Sequence, residues 1–330
     1  MVYHFGSLIQ ALKTFVRGIA QPGEKPLFTV SPLGVFAANL IGYGASILTF
    51  QLFWSLHLYP LMLLSVLLGQ AAAWSLYMVE HHAVHGAISR ENWINRWVAE
   101  VASVVGLTID PDKYKPRHNR DHHDPRKLAT KDDPDFRFLE RWGFVPGKSV
   151  DYYYRQLFTT LVNPIYYAEN FYSRLVMNLL AAPLLHRLLV LAWWGSVLLI
   201  AFSYNLWAGL VGYLAIAIFG YGISALLQTL TEHRWGFQGD PAQKTFPRLL
   251  PIDEYPGMFL VYLYWRTAVL GTDLAQHQIH HRKPKNFAWP MVAYSEEAQS
   301  DRVLAIWGIK AHFEEAFKAL SQGKTARNLH

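Results

Sequence analysis

The sequence of 330 residues is long enough for one large domain or two ordinary ones. Only 16% of the residues are charged and 52% are hydrophobic, a balance that favours a membrane protein over a soluble one. The chain has no cysteine, which excludes disulfides, thiolate metal sites and a cysteine nucleophile. Its net charge of +6 comes from Lys and Arg that are not clustered on one segment, so we expect no nucleic-acid partner.

Two long segments of the chain contain no Asp, Glu, Lys or Arg. The first lies between Lys25 and Glu80 and the second between Arg187 and Glu232. Since a membrane-spanning helix needs about 20 apolar residues, each segment fits two spanning helices joined by a short turn. Polar residues near the middle of each segment place the turns and predict helices over 33–56, 60–80, 188–203 and 207–231. The alternative, two helical hairpins buried in a soluble core, is disfavoured by charge-free runs of this length.

The positive charges predict the orientation of these helices. All 30 Lys and Arg residues lie in 1–25, 81–187 or 232–330, and positive residues favour the cytoplasmic side. We therefore expect two hairpins that enter from the cytoplasm, with both termini on that side. The first 25 residues lack the layout of a cleaved signal peptide. The apolar stretches 93–108 and 257–272 are short, and we expect interfacial or re-entrant helices there.

Ten of the 15 histidines lie in four short motifs. These are EHHAVHG, RHNRDHHDP, TEHRWG and QHQIHHRKP, and all four fall on the expected cytoplasmic side. Residues at i, i+3 and i+4 share one face of a helix, so one helix can present two or three imidazoles to one metal ion. The expected sets are His81 with His85, His118 with His122, and His277 with His280 and His281.

These motifs predict a metal centre with two ions. One ion takes about four to six ligands, so nine imidazoles imply two ions with open positions. The candidate ligands are His81, His85, His118, His122, His123, His233, His277, His280 and His281. His82 is left out because it follows His81 directly and points elsewhere on a helix. The isolated histidines are expected to be structural: His4, His57, His186, His312 and His330.

Imidazole suits Zn, Cu, Fe and Ni, so the ligands alone leave the metal open. A paired redox metal beside a membrane-buried pocket favours O₂ activation and attack on an unreactive C–H bond. The alternatives are a membrane zinc hydrolase and a non-catalytic metal carrier. Because the ligands are all nitrogen, nearby carboxylates are free to orient the rings. The candidates for that role are Glu80, Asp121, Asp124, Glu232 and Asp273.

The histidine motifs resemble the three histidine boxes of the membrane fatty acid desaturase superfamily, over roughly residues 30–290. The boxes are H-x3-H in HHAVHG, H-x3-HH in HNRDHH and H-x2-HH in HQIHH. The resemblance implies an all-α integral membrane protein with a cytoplasmic helical cap carrying a di-iron site. It implies one domain over 1–330, with hairpins at about 33–80 and 188–231 and cytoplasmic parts 81–187 and 232–330. All nine candidate histidines would bind iron, with His233 matching the isolated histidine that completes the family's set.

The function implied by this resemblance is O₂-dependent desaturation of a fatty acyl or lipid hydrocarbon chain, using two iron ions (Fe²⁺/Fe³⁺). A hydroxylase or ketolase on the same site, acting on an acyl, alkane or carotenoid substrate, stays open. The sequence assigns no catalytic residue beyond the metal ligands. There is no His-Pro-Gly-Gly haem motif of a fused cytochrome b5, so a separate electron donor of ferredoxin, rubredoxin or cytochrome b5 type is expected. The basic segments 113–127 and 282–285 are either a site for headgroup phosphates or an acidic donor, or part of the positive-inside bias.

Overall fold

A computed structural model of the chain describes residues 2–21, 24, 31–237, 243–271, 275, 277–282, 284 and 305–323. The chain forms two compact units, each built from separated stretches of sequence. Unit 1 comprises Met1–Val30, Arg117–Val162 and Leu226–His330. Unit 2 comprises Ser31–Pro116 and Asn163–Ala225.

Helices dominate both units. In chain order they are α1 (Val2–Arg17), α2 (Pro32–Ser55), α3 (Tyr59–Val84), α4 (Asn92–Gly106), α5 (Pro111–Arg117), α6 (Pro134–Arg141), α7 (Val150–Val162), α8 (Pro164–Val176), α9 (Leu184–Ser203), α10 (Trp207–Ala215), α11 (Tyr221–Glu232), α12 (Phe259–Ala268), α13 (His277–Arg282) and α14 (Ile309–Gln322). Three π-helical turns lie at His118–His122, Met177–Ala181 and Ile216–Gly220, and a 3-10 turn lies at Pro256–Met258. Two short strands, β1 (Arg248–Leu249) and β2 (Ile306–Trp307), pair in parallel.

Four helices are long and apolar enough to cross a membrane. They are α2, α3, α9 and the continuous helical stretch Trp207–Glu232, and all four confirm the spans expected from the charge-free segments. Ser31 caps the first of them by accepting a hydrogen bond from the Gly34 amide at 3.0 Å. The breaks after α2 and α9 fall at His57 and Asn205, which have φ of 57° and 53°. The two shorter apolar stretches form α4 and α12.

In unit 2, α3 packs against α2, α4 and the π turn Ile216–Gly220. Gly69 permits this close approach, because a Cβ there would lie 2.5 Å from the Ser46 hydroxyl. A polar pair lies in this interior, where Gln70 Nε2 donates to Ser224 Oγ at 2.9 Å. Large apolar side chains such as Leu63, 64% exposed, point outwards from the spanning helices. An apolar outer surface is what contact with lipid requires, so these helices fit an integral membrane protein.

Aromatic and polar contacts in unit 1 fix segments that carry histidines. The rings of Phe136 on α6 and Trp235 stack at 5.8 Å, beside His233 at the end of α11. An antiparallel bridge joins His233 to Thr245, just before β1. His312 on α14 donates from Nε2 to the Ile306 carbonyl of β2 at 3.1 Å. These contacts tie the segment around residue 233 to the α6 region and to the strand pair.

Candidate metal centre

The second histidine cluster lies in a π-helical turn rather than in an α-helix. The His123 amide donates to the His118 carbonyl at 3.0 Å, a hydrogen bond that spans five residues. In such a turn residues i and i+5 come together, and the Nε2 atoms of His118 and His123 lie 3.0 Å apart. His280 of α13 joins them, since the ligand atoms of all three lie within 4.8 Å of one another. We refer to His118, His123 and His280 as the His118 group.

A second group in unit 1 comprises His122, His233, His277 and His281, here called the His122 group. Its Nε2 atoms face one another. The separations are 3.3 Å for His122 and His233, 3.2 Å for His233 and His277, and 3.0 Å for His277 and His281. Three of these histidines are almost completely buried. Four imidazole nitrogens from three separate segments thus converge on one point.

This grouping differs from the one expected from α-helical spacing. His118 and His122 stack with ring centroids 4.9 Å apart, but their ligand atoms belong to different groups. On α13, His277 and His281 share a group at the expected i, i+4 spacing, whereas His280 belongs to the other one. The extra residue of the π turn rotates His122 away from His118 and brings His123 in its place.

The two groups lie side by side within unit 1. The rings of His123 and His281, one from each group, stack at 4.4 Å. Two nitrogens bound at 2.0–2.1 Å to a common ion lie about 2.9 to 3.4 Å apart, which matches the separations in both groups. Imidazole pairs at this distance cannot all hydrogen-bond one another, because each neutral ring has only one N–H. The donor set and the spacing therefore fit two neighbouring metal ions.

The charge state of two rings in the His122 group suits metal binding, whereas nearby carboxylates determine that of a third. Burial, together with the neighbouring imidazoles, lowers the pKa of His233 and of His281 well below 6.5. Both rings are therefore neutral, which is the form that binds metals. Burial would lower the pKa of His122 too, but the Asp133 carboxylate, with Asp135 and Glu232, raises that pKa to about 10.

Asp133 is a site residue that the sequence did not reveal. Its fully buried carboxylate lies 3.2 Å from Nδ1 of His122, and it accepts hydrogen bonds from the Ala129 and Asp135 amides at 2.9 Å. It also caps α6. With Nδ1–H donating to Asp133, Nε2 of His122 is left free for a metal, the usual arrangement of a carboxylate behind a histidine ligand. The sequence feature that marks Asp133 is the Asp-Pro pair at the start of α6, which predicts a helix cap but not a contact with His122.

The carboxylates expected to orient the ligands divide into two kinds. Glu232 lies beside the His122 group, with Oε2 3.9 Å from Nε2 of His277, and accepts a hydrogen bond from Gln228. Asp121 instead pairs with Arg120 and Lys127 at 2.8 Å, and Asp124 pairs with Arg126. Those basic partners lower the pKa of both carboxyls. Asp121 and Asp124 thus form ion pairs with neighbouring basic side chains.

The first cluster lies in unit 2, at the end of α3. The rings of His81 and His85 are buried, with centroids 5.1 Å apart and ligand atoms within 4.8 Å. Nδ1 of His81 lies 2.9 Å from the Tyr114 hydroxyl of α5, which orients that ring. His82 is buried too but is not one of the histidines whose ligand atoms cluster among the described residues. Glu80 accepts a hydrogen bond from the Thr108 hydroxyl.

Among the isolated histidines, His57 pairs with the Tyr59 hydroxyl at 2.9 Å in the turn after α2. His186 and His312 are buried and hydrogen-bonded. Asp273, Lys283, Lys285 and His330 lie outside the described residues, as does the side chain of His4.

Comparison with known proteins agrees with the histidine pattern. The family model for fatty acid desaturases matches residues 56–296, which is more than half of the chain and includes all nine candidate ligands. No curated protein matches the chain. The chain belongs to the fatty acid desaturase family.

Proposed function

We propose that this protein is a membrane desaturase that introduces a double bond into a fatty acyl or lipid hydrocarbon chain, using O₂ and a histidine-held di-iron centre. The family is one of oxidoreductases acting on acyl chains and is known for iron use. The observation that carries the proposal is the pair of adjacent, buried imidazole groups in unit 1.

Nine histidines would hold the two ions. The His122 group supplies four imidazoles to one ion, and the His118 group supplies three to the other. The family resemblance implies that His81 and His85, in the first histidine box, are the remaining two ligands. Imidazole is a good ligand for Fe, Zn, Cu and Ni, whereas Mg and Ca prefer oxygen ligands.

Iron bound at this site would supply the redox chemistry by which O₂ oxidises a C–H bond. Each of two adjacent methylenes loses one hydrogen, which leaves a carbon–carbon double bond. These two hydrogens, with two electrons and two further protons, reduce O₂ to two waters, so the overall change balances. The electrons come from a separate protein of ferredoxin, rubredoxin or cytochrome b5 type. The contribution of this chain is to hold ligand rings in place, as Asp133 does for His122, and to align the substrate among the apolar helices.

The same proposal places the spanning helices as two hairpins of a single domain, entering from the cytoplasm. A cytoplasmic cap would then carry the di-iron site, with both termini on that side. The support is the distribution of Lys and Arg, none of which lies between Lys25 and Glu80 or between Arg187 and Glu232.

The first experiment is metal analysis of the protein purified in detergent, beside the variants His122→Ala and His280→Ala. His57→Ala is the matched control, because His57 lies in the turn after α2, where its ring pairs with the Tyr59 hydroxyl. We expect about two irons per chain in the parent and the control, and a loss of iron in the two site variants. About one zinc per chain in cells supplied with iron would favour a zinc hydrolase instead.

Analysis of lipids from expressing cells then identifies the reaction. An unsaturated chain that requires His122 supports the desaturase. An oxygenated product would assign a hydroxylase or ketolase to the same site, because hydroxylation and desaturation share ligands and differ in how the substrate is held.

A further inference from the structure

His186, which the sequence marks as an isolated structural histidine, is bonded on both sides of its ring inside unit 2. Nδ1 lies 2.7 Å from Oε1 of Glu100, and Nε2 lies 2.6 Å from Oδ1 of Asn178. The orientation of the Asn178 amide is fixed, because its nitrogen donates to the Thr108 and Arg174 carbonyls at 2.7 and 2.8 Å. Both ring nitrogens therefore face oxygens, and the ring is held between Glu100 and Asn178.

Asn178 is one of three buried side chains that hold the turn after α4. Three successive carbonyls of this turn each accept a hydrogen bond from a different side chain. Arg174 donates to Leu107 at 3.0 Å, Asn178 to Thr108 at 2.7 Å, and Ser103 to Ile109 at 3.0 Å. Leu107 has φ of 47°, a left-handed conformation that is unfavourable for a leucine, so these bonds hold the turn against its local preference.

The turn presents one side chain towards the first histidine box. The Thr108 hydroxyl donates to Oε2 of Glu80, which is fully buried and directly precedes His81 on α3. The chain of contacts thus runs from His186 through Asn178 and Thr108 to Glu80. Every member lies within unit 2, and each is at least nine-tenths buried.

We propose that His186 is a positioning residue of the metal centre: through Asn178 it fixes the turn whose Thr108 hydroxyl holds Glu80, and so sets the rotation of the α3 end that carries His81 and His85. This inference rests on the proposed function, because it takes His81 and His85 as metal ligands. It goes beyond the histidine boxes by giving a role to four residues outside them. Groups that orient metal ligands typically change metal affinity by about 10- to 100-fold when they are removed.

The test measures metal binding rather than turnover. The full chain is purified in detergent, stripped with a chelator and titrated with Co²⁺, a spectroscopic stand-in for Fe²⁺. Bound metal is counted by elemental analysis, and the visible absorption reports coordination. The parent should bind about two Co²⁺ per chain. Binding of fewer ions by the parent would count against the di-iron proposal itself and is read separately from the variants.

Two matched pairs of variants isolate the contacts. Thr108→Val has nearly the same shape but lacks the hydroxyl, whereas Thr108→Ser keeps it. His186→Gln carries its N–H donors on a single nitrogen and so cannot reproduce bonds made from the two separate ring nitrogens to Glu100 and Asn178, whereas His312→Gln can replace the bond from His312 to the Ile306 carbonyl. We expect Thr108→Val and His186→Gln to bind one of the two ions about 10- to 100-fold more weakly, with the other unaffected. Thr108→Ser and His312→Gln should behave as the parent.

Two results would overturn the proposal. One is a folded Thr108→Val protein that binds both ions with the parent's affinity and spectrum. The other is an equal loss of both ions in His186→Gln and His312→Gln, which would reveal general destabilisation. If His186→Gln does not fold, the Thr108 pair still tests the bond to Glu80 through which His186 would act, and parent-like metal binding by Thr108→Val overturns the proposal.

Discussion

Asp133 connects the local chemistry of a helix start to the metal centre. Its carboxylate accepts hydrogen bonds from two backbone amides and faces Nδ1 of His122, so one buried charge caps α6 and orients a ligand. The histidines could be found from their spacing in the sequence, because imidazoles repeat at helical intervals. Asp133 could not, because it lies eleven residues from His122 in sequence, and only the fold of the 123–133 segment brings the two together.

Replacing this carboxylate should weaken metal binding selectively. Asp133→Asn keeps an oxygen to cap α6, since asparagine caps as well as aspartate does, but removes the fully buried one of the two negative charges behind His122, the other being Asp135 at 3.2 Å. We expect about a 10- to 100-fold loss of affinity for one metal ion, measured by Co²⁺ titration of the stripped protein. The neighbouring Asp132→Asn is the control, because Asp132 is exposed. Equal affinities in the two variants would show that Asp133 only caps the helix.

His312 gives the fold a defined sensitivity to acid. Burial, with a contribution from Arg248, lowers the pKa of His312 from 6.5 to about 3. Since the unfolded chain binds the proton more readily, stability is lost as the pH falls below 6.5. Between pH 7 and pH 5 this loss is about 2 kcal/mol. His312→Gln removes the titration but keeps an amide donor for the Ile306 carbonyl.

The measurement is unfolding in mixed detergent micelles at several pH values. The stability difference between the parent and His312→Gln should shrink by about 2 kcal/mol between pH 7 and pH 5. A difference that stays constant with pH would mean that His312 does not titrate with unfolding.

At the scale of elements, the π turn at His118–His122 decides which imidazoles lie in the same group. With α-helical spacing His118 would pair with His122, but the additional residue in the turn pairs it with His123 and sends His122 to the other group. The sequence predicted that this cluster binds metal, but not that His118 and His123 fall in one group and His122 in the other. An α-turn and a π turn differ by one residue per turn, and composition and hydropathy carry little information about that difference.

Two glycines in the α2–α3 pair should respond in opposite ways to replacement by alanine. Alanine in place of glycine stabilises an open helix position by about 0.5–1 kcal/mol, and a Cβ added at Gly44 on α2 would meet no described atom within 4 Å. A Cβ added at Gly69 would instead meet Ser46 and Ile216, and overpacking costs about 1–3 kcal/mol. Gly44→Ala should therefore raise the thermal midpoint in detergent, and Gly69→Ala should lower it. Similar shifts in both variants would contradict this account of the interface.

For the whole molecule, the absence of charge was the most informative property of the sequence. The four spanning helices lie within four residues of their expected ends, because charged residues are costly inside the lipid and limit the apolar segments, while polar residues mark the turns within them. The division into two units interleaved along the chain was not predicted. It depends on which helices pack together, and hydropathy along the chain gives no information about pairing.

The sidedness of the spanning helices leads to a direct test, because the chain contains no natural cysteine. Each single-cysteine variant therefore reports on one position. Leu56→Cys and Tyr204→Cys fall between spanning helices, at side chains that are 55% and 73% exposed. Lys148→Cys and Lys318→Cys fall at exposed positions of unit 1. If both hairpins enter from the cytoplasm, a membrane-impermeant maleimide should label the first two variants in intact cells.

The lysine-site variants should be labelled only after the cells are permeabilised, because the basic residues keep their segments in the cytoplasm. The inverse pattern would leave the four spans in place but reverse the proposed orientation, and with it the compartment of the electron donor. Labelling of one turn but not the other in intact cells would mean that one helix pair does not cross the membrane. Because a pair that does not cross begins and ends on the same side, the histidines at the ends of α3 and α11 would still face one compartment, and the result would overturn the two-hairpin topology rather than the location of the histidines.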